Sequence, residues 1–541
     1  MVRARFNAQL AGVAVALVLG LAPGVARADQ TLTFDGDVPN GGPEHFFIPF
    51  TVPAGTVEIQ IHHDDLSDAN ILDWGLQDQS GGYRGWGGGT TEDAIVGISA
   101  ASRAYVPGAL GAGTWSVIAG KAKVVAQPAK YHVTVTLRTA PTLAPQTNRA
   151  PYVPHAALAT GRRYYAGDLH VHSLESTDAR PSLDELATFA RSRGLDFVEV
   201  SDHNTITQLD FFGDVQGRHP DLLLVPGIEY TTYHGHANAI GATRWVDHKI
   251  GQPGVTIQGA AQQIAAQGAL FSVNHAMLDV GNQCIGCSWA QPLGMEFVNG
   301  VEIGTGGLAE ESSIFQEPTI AFWESFLASG YHAVPVGGSD DHQAGKGTGS
   351  LSSPIGDPLT MVLADELSAA AIVLGIKKGR VVVRLQGPSD PMVVFTAGDA
   401  LPGDKVTAAS AHFSATITGG VGFKAHFVHN GQATADVAIA TDPFTLQADA
   451  LTPDAGEDRW RVDVVDADGL RHVVTNHIWL GLAPVAPAPS PVPAPVPTPT
   501  TEASTPGPSA GGGCSTTGQT SGVLAAILAL PLLSLLRRRR R

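Results

Sequence analysis

The sequence predicts an α/β domain set between two all-β domains, and three observations carry that expectation. From Tyr164 to about Leu385, short apolar runs alternate with helix-like stretches, whereas residues 29–140 and Gly387 to Leu482 alternate apolar and polar residues in short runs broken by Gly and Pro. Five histidine- and carboxylate-bearing stretches follow one another in the middle region, each at the end of an apolar run. Buried strands of an open α/β sheet or barrel would deliver such ends to one rim. The residues alone leave a barrel and a doubly wound sheet both open.

Taken in chain order, the first element is a leader. Arg3 and Arg5, the apolar run Ala11 to Leu21 and the small-residue site Ala26-Arg27-Ala28 have the layout of a secretory signal over residues 1–28. Export is therefore expected, with Asp29 as the first retained residue. A spanning helix here would be too short and is broken at Pro23-Gly24. Residues 29–140 then read as a jelly-roll-like β-sandwich, from runs such as His45 to Val52, Val57 to Ile61 and Tyr131 to Leu137. The loop Gly81 to Gly89 is either a sugar-stacking surface or, more simply, a tight turn around a packed Trp86. Polysaccharide is for that reason an expected contact of the sandwiches. His62-His63-Asp64-Asp65 reads as a polar strand end, because no further ligand sits at convergent spacing.

Prolines in residues 141–160 mark a linker, and residues 161–386 form the α/β domain. Its first helix has a capping box in Ser182 and Glu185, an apolar stripe in Leu183, Leu186, Ala187 and Ala190, and a stop at Gly194. The strand Leu195 to Val200 follows and delivers Asp202 and His203. Further helices are expected over 257–267, 319–329 and 364–378. Residues 387–482 read as a smaller β-sandwich, as in Ala411 to Ile417 and Trp460 to Val464. The Pro/Ala/Thr/Ser tract within 483–513 predicts an extended, disordered stalk. Residues 514–541 carry Cys514, an apolar stretch from Val523 to Leu536 and five arginines, Arg537 to Arg541. That layout resembles the tripartite sorting tails of myxobacterial type, which implies anchoring or processing at Cys514 and an outer-surface location. A plain membrane anchor with cytoplasmic arginines is the alternative.

The formal charge is −17, and without the three arginines of the leader and the five of the tail it is near −25. An acidic surface disfavours long nucleic acids, whose binding depends on phosphate neutralisation by Lys and Arg. Small anionic substrates are still compatible, because bound metal ions reverse the local field. Of three cysteines, Cys284 and Cys287 form a Cys-Ile-Gly-Cys loop for which a local disulfide is expected. A redox motif lacks its strand-helix context, and a zinc site would need two more ligands, with none evident nearby in sequence.

The five stretches are Asp168-Leu-His170-Val-His172, Ser201-Asp202-His203-Asn204, Gly227-Ile-Glu229 continuing to Gly235-His236-Ala-Asn238, Asn274-His275, and Gly338-Ser339-Asp340-Asp341-His342. Imidazole nitrogens and carboxylate oxygens hold zinc, iron or manganese. His170 and His172, two apart at a strand end, face the same side, and Glu229 could bridge two ions as no neutral histidine can.

These motifs resemble the PHP (polymerase and histidinol phosphatase) superfamily, and more finely the secreted CehA/McbA-type metallohydrolases. The matching runs are Gly-Asp-Leu-His-Val-His-Ser at residues 167–173 and Gly-Leu-Asp-Phe-Val-Glu-Val-Ser-Asp-His-Asn-Thr at 194–205. The resemblance implies a distorted (β/α)7 barrel, flanked by the two sandwiches, with two or three divalent ions (Zn, Mn or Fe). It places His170, His172, Glu229 and Asp340 on the first ion, Glu229, His236 and His275 on the second, and His203, His342 and Asp178 on the third. Asp178 stands one residue further from the His-x-His pair than in many members. His234 is the alternative to His236, Asp202 would orient a neighbouring ligand, and Asp168 would hydrogen-bond backbone. Asp341 and His234 are the candidates for proton transfer to a leaving group.

The expected function is an exported metal-dependent hydrolase in which a metal-bridged hydroxide attacks a small-molecule phosphoester. Hydrolysis of a carbamate, ester or amide is the alternative, favoured by the absence of an Arg/Lys cluster near the motifs, where Arg180 is the nearest basic residue. A non-catalytic surface binding protein is the third reading.

Overall fold

The computed structural model describes residues 28–281, 284–305, 312–347 and 353–482. The expected leader up to residue 27 and the stalk and tail from residue 483 lie outside the described residues. Among the described residues no helix is long and apolar enough to cross a membrane.

Alternation over residues 29–140 produces two four-stranded antiparallel sheets. One orders the strands Gln30–Asp37, Lys130–Arg138, Glu58–Asp64 and Ala94–Gly97; the other orders His45–Val52, Gly113–Lys123, Ile71–Gln77 and Tyr83–Gly88. In His45–Val52, Ile48, Phe50 and Val52 point inward. They meet Ile59, Ile61, Trp74, Leu76, Trp115, Val117 and Val135 in one core shared by both sheets. Each such buried side chain contributes on the order of 1.5–3 kcal/mol.

The strand Thr160–Val171 runs parallel to Phe197–Val200, which runs parallel to Leu223–Pro226, while Leu359–Glu366 lies antiparallel on its other side. A second sheet orders Glu229–Thr232, Gly235–Ile240, Leu270–Val273, Gly300–Thr305 and Val334–Gly338. The two sheets are tied together where the motifs lie. Asp340 N donates to His170 O (2.8 Å) and His172 N to Asp341 O (3.1 Å); at the opposite edge Glu229 N donates to Ser201 O and Asn204 N to Glu229 O, both at 2.9 Å. Motifs far apart in sequence are thereby drawn to one end of the domain.

The described strands pair as a mixed, sheet-rich α/β fold and not as one continuous seven-fold β/α ladder. The interruption has a local cause. Glu229–Thr232 and Gly235–Ile240 pair antiparallel across a two-residue turn, which leaves no room for a crossover helix. Helix Leu183–Ser192 carries the capping box, with Glu185 N donating to Ser182 Oγ and Ser182 N to Glu185 Oε2. Helix Ile257–Ala265 is capped by Thr256, and Ser312–Ala328 starts seven residues before its predicted position. The helix predicted from 364 begins only at Ala369, because residues through Glu366 pair in a strand and Ser368 is the cap. Helix Leu209–Arg218 was not predicted, although Leu209, Phe212 and Val215 form its buried stripe.

After residue 387, Met392–Ala397, Ser410–Thr418 and Phe444–Leu451 form a sheet that shares Phe395, Phe413, Phe427 and Val462 with the facing strands Lys424–His429 and Glu457–Val465. The facing sheet is continuous with the α/β domain, since Val381–Arg384 pairs with Arg471–Thr475. The ladder therefore runs across the expected boundary. Glu324 of the long helix bonds Arg459 (2.7 Å) and reinforces that junction.

Candidate metal centre

At the end of Thr160–Val171 the two-residue spacing sends the imidazoles of His170 and His172 into the same space. Their Nε2 atoms lie 3.3 and 3.0 Å from Asp340 Oδ1, and each lies 3.5 Å from Glu229 Oε2. All four atoms are buried and none makes a well-formed hydrogen bond, although His203 Nδ1 also approaches Glu229 Oε2 to 2.7 Å. Buried polar atoms are ordinarily paired, and leaving one unpaired costs about 1–3 kcal/mol. Four orphaned donors and acceptors converging within 4.8 Å of one another fit a divalent cation, which would satisfy all of them together.

The other ring nitrogens are fixed by partners that hold Nε2 on target. His170 Nδ1 faces Glu302 Oε1 at 3.2 Å and His172 Nδ1 faces Ser176 Oγ at 2.9 Å. Ser176 is itself positioned by Asp202, whose carboxylate accepts from Ser173 N (2.7 Å), Ser173 Oγ (2.6 Å) and Ser176 N (3.2 Å). Asp202 thus acts on the cluster through this loop. Asp168 accepts from the backbone of His170, Ser339 and Gly356 and only shapes the strand ends.

Glu229 turns its second oxygen to another pair. Oε1 lies 3.1 Å from His236 Nδ1 and 3.2 Å from His275 Nε2, so one carboxylate faces both ligand sets. His236, His275 and Cys287 offer three buried donors within 4.8 Å of one another. His203 and His342 form the third pair, with Nε2 atoms 3.4 Å apart and Asp178 Oδ2 at 3.3 and 3.6 Å from them. Asp178 is the loosest member, with 59% of its side chain exposed. His172 groups with His203 and His342 as well as with the first set.

The electrostatics fit a site built for positive charge. Burial, with His342 and His203 alongside, pushes His172 down to about 3, so its imidazole is neutral and free to coordinate. Burial opposes charge on His170 too, yet Asp340, Glu302 and Glu229 together pull it well above its ordinary value. The three carboxylates around His170 thus favour positive charge at this point. His275 (φ 28°), Asp340 (φ 56°) and Asn204 (φ 51°) all adopt left-handed backbone, a strain of roughly 1–3 kcal/mol each that clusters at functional sites. His275 is held there by its N–H to Glu302 Oε2 (3.0 Å) and Asn204 by its side chain on the Thr231 backbone.

The two proton-transfer candidates are engaged by groups outside the ligand cluster. Asp341 is 4% exposed and consumed by the backbone N–H groups of Gln343, Gly345 and Ile355, which fold its own loop. His234 points to the rim, 59% exposed, and pairs with Glu44 (2.7 Å).

A cavity of about 780 Å³ opens over the cluster, and its far wall comes from the N-terminal sandwich: Glu44, His45, Asp73, Trp86 and Glu92 line it. Trp86 is 5% exposed and meets His248 edge-on at 4.5 Å, so the glycine-rich segment is a wall of this cavity and not an open stacking surface. Tyr83 stacks on Trp245 (4.4 Å), and both donate to Asn204 O at 3.0 Å, which locks the sandwich onto the ligand loop. Asp73 accepts from Tyr233 Oη at 2.7 Å, and burial pushes its carboxyl up to about 6 against that bond. Arg103 is the only lysine or arginine among the described residues lining the cavity, and it is engaged by Glu92 and by the carbonyls of Thr177 and Ala179. Glu302, Ser176 and Asp73 were not among the residues expected from the sequence. Glu302 left one sign, a lone acid between apolar neighbours in Val301-Glu302-Ile303. His62 and His63 bind no common partner: one pairs with Asp93 (2.8 Å), the other stacks on Trp74 (4.8 Å).

No protein-family profile matches this chain, and no curated protein does. Among solved structures it is similar to a two-domain protein from Bacteroides vulgatus containing a predicted PHP-like metal-dependent phosphoesterase, at 16% identity over 60% of this chain and 98% of that one, TM-score 0.33. It is also similar to an amidohydrolase from Chromobacterium violaceum with bound sulfate and no metal, at 13% identity over 35% and 93%, TM-score 0.23. A CARDB domain from Pyrococcus furiosus in complex with di-metal ions matches 18% of this chain and 98% of its own, at 16% identity and TM-score 0.14. At these scores the likenesses carry neither fold nor function.

Proposed function

We propose that the chain is a metal-dependent hydrolase of the PHP class, CehA/McbA-type, that cleaves a small-molecule phosphoester outside the cytoplasm. The observation that carries it is the set of four convergent, buried atoms on His170, His172, Glu229 and Asp340 that lack well-formed hydrogen bonds. Divalent ions held by these residues and by His236, His275, His203, His342 and Asp178 would supply Lewis acidity and an activated water. Glu302 and Ser176 fix the imidazole orientations, and Glu229 spans two ligand sets. Asp73, on the opposite wall and bonded to Tyr233, is the acid placed to give a proton to the leaving oxygen. The reading includes a distorted barrel in place of a regular seven-fold one, the export signal and anchoring through the tail at Cys514.

A second reading is favoured by the cavity wall. Glu44, Asp73 and Glu92 face the site, and the sole cation among the described lining residues is already engaged, so a neutral carbamate, ester or amide meets less repulsion than an anion. One experiment separates the two. The full chain, loaded with manganese or zinc, is offered bis(p-nitrophenyl) phosphate and a naphthyl carbamate, with His172→Ala as the blank. Turnover of the diester supports the first reading and turnover of the carbamate alone the second. No turnover above the blank with either removes both substrate readings, and bound-metal content then decides: a protein that holds no metal removes the hydrolase reading as well.

A further inference from the structure

We propose that Cys287 is a redox-gated metal ligand: with the Cys284–Cys287 bond open, its thiolate joins His236 and His275 in a site for a thiophilic divalent ion, and the disulfide withdraws it. The inference rests on the reading above that Glu229, His236 and His275 hold a cation.

In sequence the Cys-Ile-Gly-Cys loop has no partner ligands nearby, but folding supplies them. Cys287 is 1% exposed and offers its sulfur within 4.8 Å of donor nitrogens of His236 and His275. The same two sulfurs are joined as a disulfide, with Cα atoms 5.6 Å apart. A cysteine buried merely for packing has no need of two converging imidazoles.

The loop's position does not depend on the S–S bond. Gly286 has φ +78°, and a Cβ there would meet Thr232 O at 2.6 Å and the Tyr233 carbonyl carbon at 2.7 Å, so its backbone is pressed onto the hairpin turn that precedes His236. Cys287 O faces His275 Nδ1 at 3.2 Å and Ile285 O faces His236 Nε2 at 3.3 Å. Two residues on, Trp289 N donates to Ala276 O at 2.9 Å. When the bond opens, Cys287 stays beside the histidines.

Access points the same way. Cys284 lines the cavity, whereas Cys287 lies behind it. A small dithiol entering the cavity attacks Cys284 Sγ, so Cys287 is the leaving group and emerges as a thiolate next to His236 and His275. The second thiol of the reagent then closes on the first, releasing Cys284 as a thiol. Two electrons pass from the dithiol to the protein, the reagent leaves as a cyclic disulfide, and the Cys287 sulfur carries no proton when it binds the ion. The oxidised protein presents only oxygen and nitrogen donors, a set open to manganese. The reduced protein adds a soft donor that selects for zinc or cobalt.

Cobalt(II) is the probe, because its visible bands report binding and a near-ultraviolet sulfur-to-cobalt charge-transfer band reports a thiolate ligand. The full chain is titrated with cobalt as isolated, and again after dithiothreitol treatment and anaerobic desalting, together with Cys284→Ser and Cys287→Ser. The thiolate band is expected in the reduced protein and, without reductant, in Cys284→Ser. With Cys514→Ser as the background of every sample, so that Cys284 and Cys287 are its only sulfhydryl residues, the band should be absent from the oxidised protein and from Cys287→Ser. Visible bands without a thiolate band in either the reduced protein or Cys284→Ser overturn the proposal and leave the histidine site standing. No visible bands in any sample overturn the metal reading together with it. Should Cys287→Ser fold poorly, the oxidised and reduced forms of the Cys514→Ser parent carry the comparison alone.

Discussion

Glu302 accepts from His170, with Oε1 3.2 Å from Nδ1, and this contact turns His170 Nε2 toward Asp340 and Glu229. Both side chains are buried, Glu302 at 1% and His170 at 0%, and the other oxygen of Glu302 holds the strained backbone of His275. One carboxylate therefore sets the geometry of two ligand sets without belonging to either.

Replacing Glu302 with Ala should accordingly weaken metal binding by roughly 10–100-fold, the usual cost of losing a partner that orients a ligand. Glu302→Gln, which keeps an acceptor oxygen, should lose less. Competitive titration against a metal indicator measures both. Equal affinity in Glu302→Ala and wild type would show that His170 is oriented by packing alone.

Gly338 leads to a second expectation. A Cβ at this position would sit 2.4 Å from His170 Cβ and 2.9 Å from the His170 backbone nitrogen, and neither can move aside as a flexible side-chain tip could. Gly338→Ala should cost about 1–3 kcal/mol by overpacking and should also displace His170 and Asp340 from each other. Denaturant unfolding with and without added zinc tests it. The variant is expected to lose stability in both conditions and to gain less from zinc than wild type does.

Removing metal should destabilise the wild-type protein more than its surface charge would suggest. Without an ion the ligand atoms of His170, His172, Glu229 and Asp340 face one another and His203 and make no well-formed hydrogen bond, so chelation leaves them poorly satisfied. An ion at a hundred times its dissociation constant stabilises by about 2.7 kcal/mol. Thermal unfolding with EDTA and then with excess zinc or manganese should show a reversible rise in Tm on re-addition. In Asp340→Ala that rise should shrink. An unchanged Tm in wild type would count against a metal at this cluster.

How much of this was legible beforehand follows from where each residue acts. His170, His172, His203, Glu229, His236, His275, Asp340 and His342 stand in short motifs at strand ends, and backbone periodicity alone sends neighbouring members the same way. Asp178 was legible only through the resemblance, and its exposed, longer contacts leave it at the edge of the set. Glu302 and Ser176 act through a second residue, and nothing local in the sequence marks that relationship. Asp73 is more remote still, since it reaches the cavity only because a separate sandwich docks there, through surfaces that carry no motif. The helix expected from residue 364 failed for a related reason. Apolar residues around Ala364 serve a buried strand as well as a helix, and pairing with Thr160–Val171 decided between them.

Asp73 also makes the stability depend on pH with a definite sign. Its carboxyl is pushed from an ordinary 3.8 to about 6 by burial, so the folded state holds the proton more tightly than the unfolded state. The stability it contributes is complete below pH 3.8 and is lost as pH rises through 6. Asp73→Asn cannot ionise, so in metal-free protein it should match wild type below pH 3.8 and exceed it above 6. Two pH units set a ceiling of about 3 kcal/mol. Urea unfolding at pH 3.5, 5 and 7.5 reads the trend, and a variant that is less stable at pH 7.5 would contradict it.

The same substitution separates a proton donor from a mere wall residue. A p-nitrophenolate leaving group departs without a proton, whereas an alkoxide needs one, so general acid assistance matters only for the second. If Asp73 protonates the leaving oxygen, Asp73→Asn should lower turnover of alkyl esters by roughly 10²–10⁴-fold and leave p-nitrophenyl esters within a few-fold. A wall residue that only shapes the cavity would affect both series alike, mostly through KM. Tyr233→Phe removes the hydroxyl that Asp73 accepts from at 2.7 Å, and so destabilises the ionised carboxylate while leaving the acid in place. That variant should keep the leaving-group selectivity of wild type and extend the active range upward in pH, a result that loss of packing at Tyr233 would not produce.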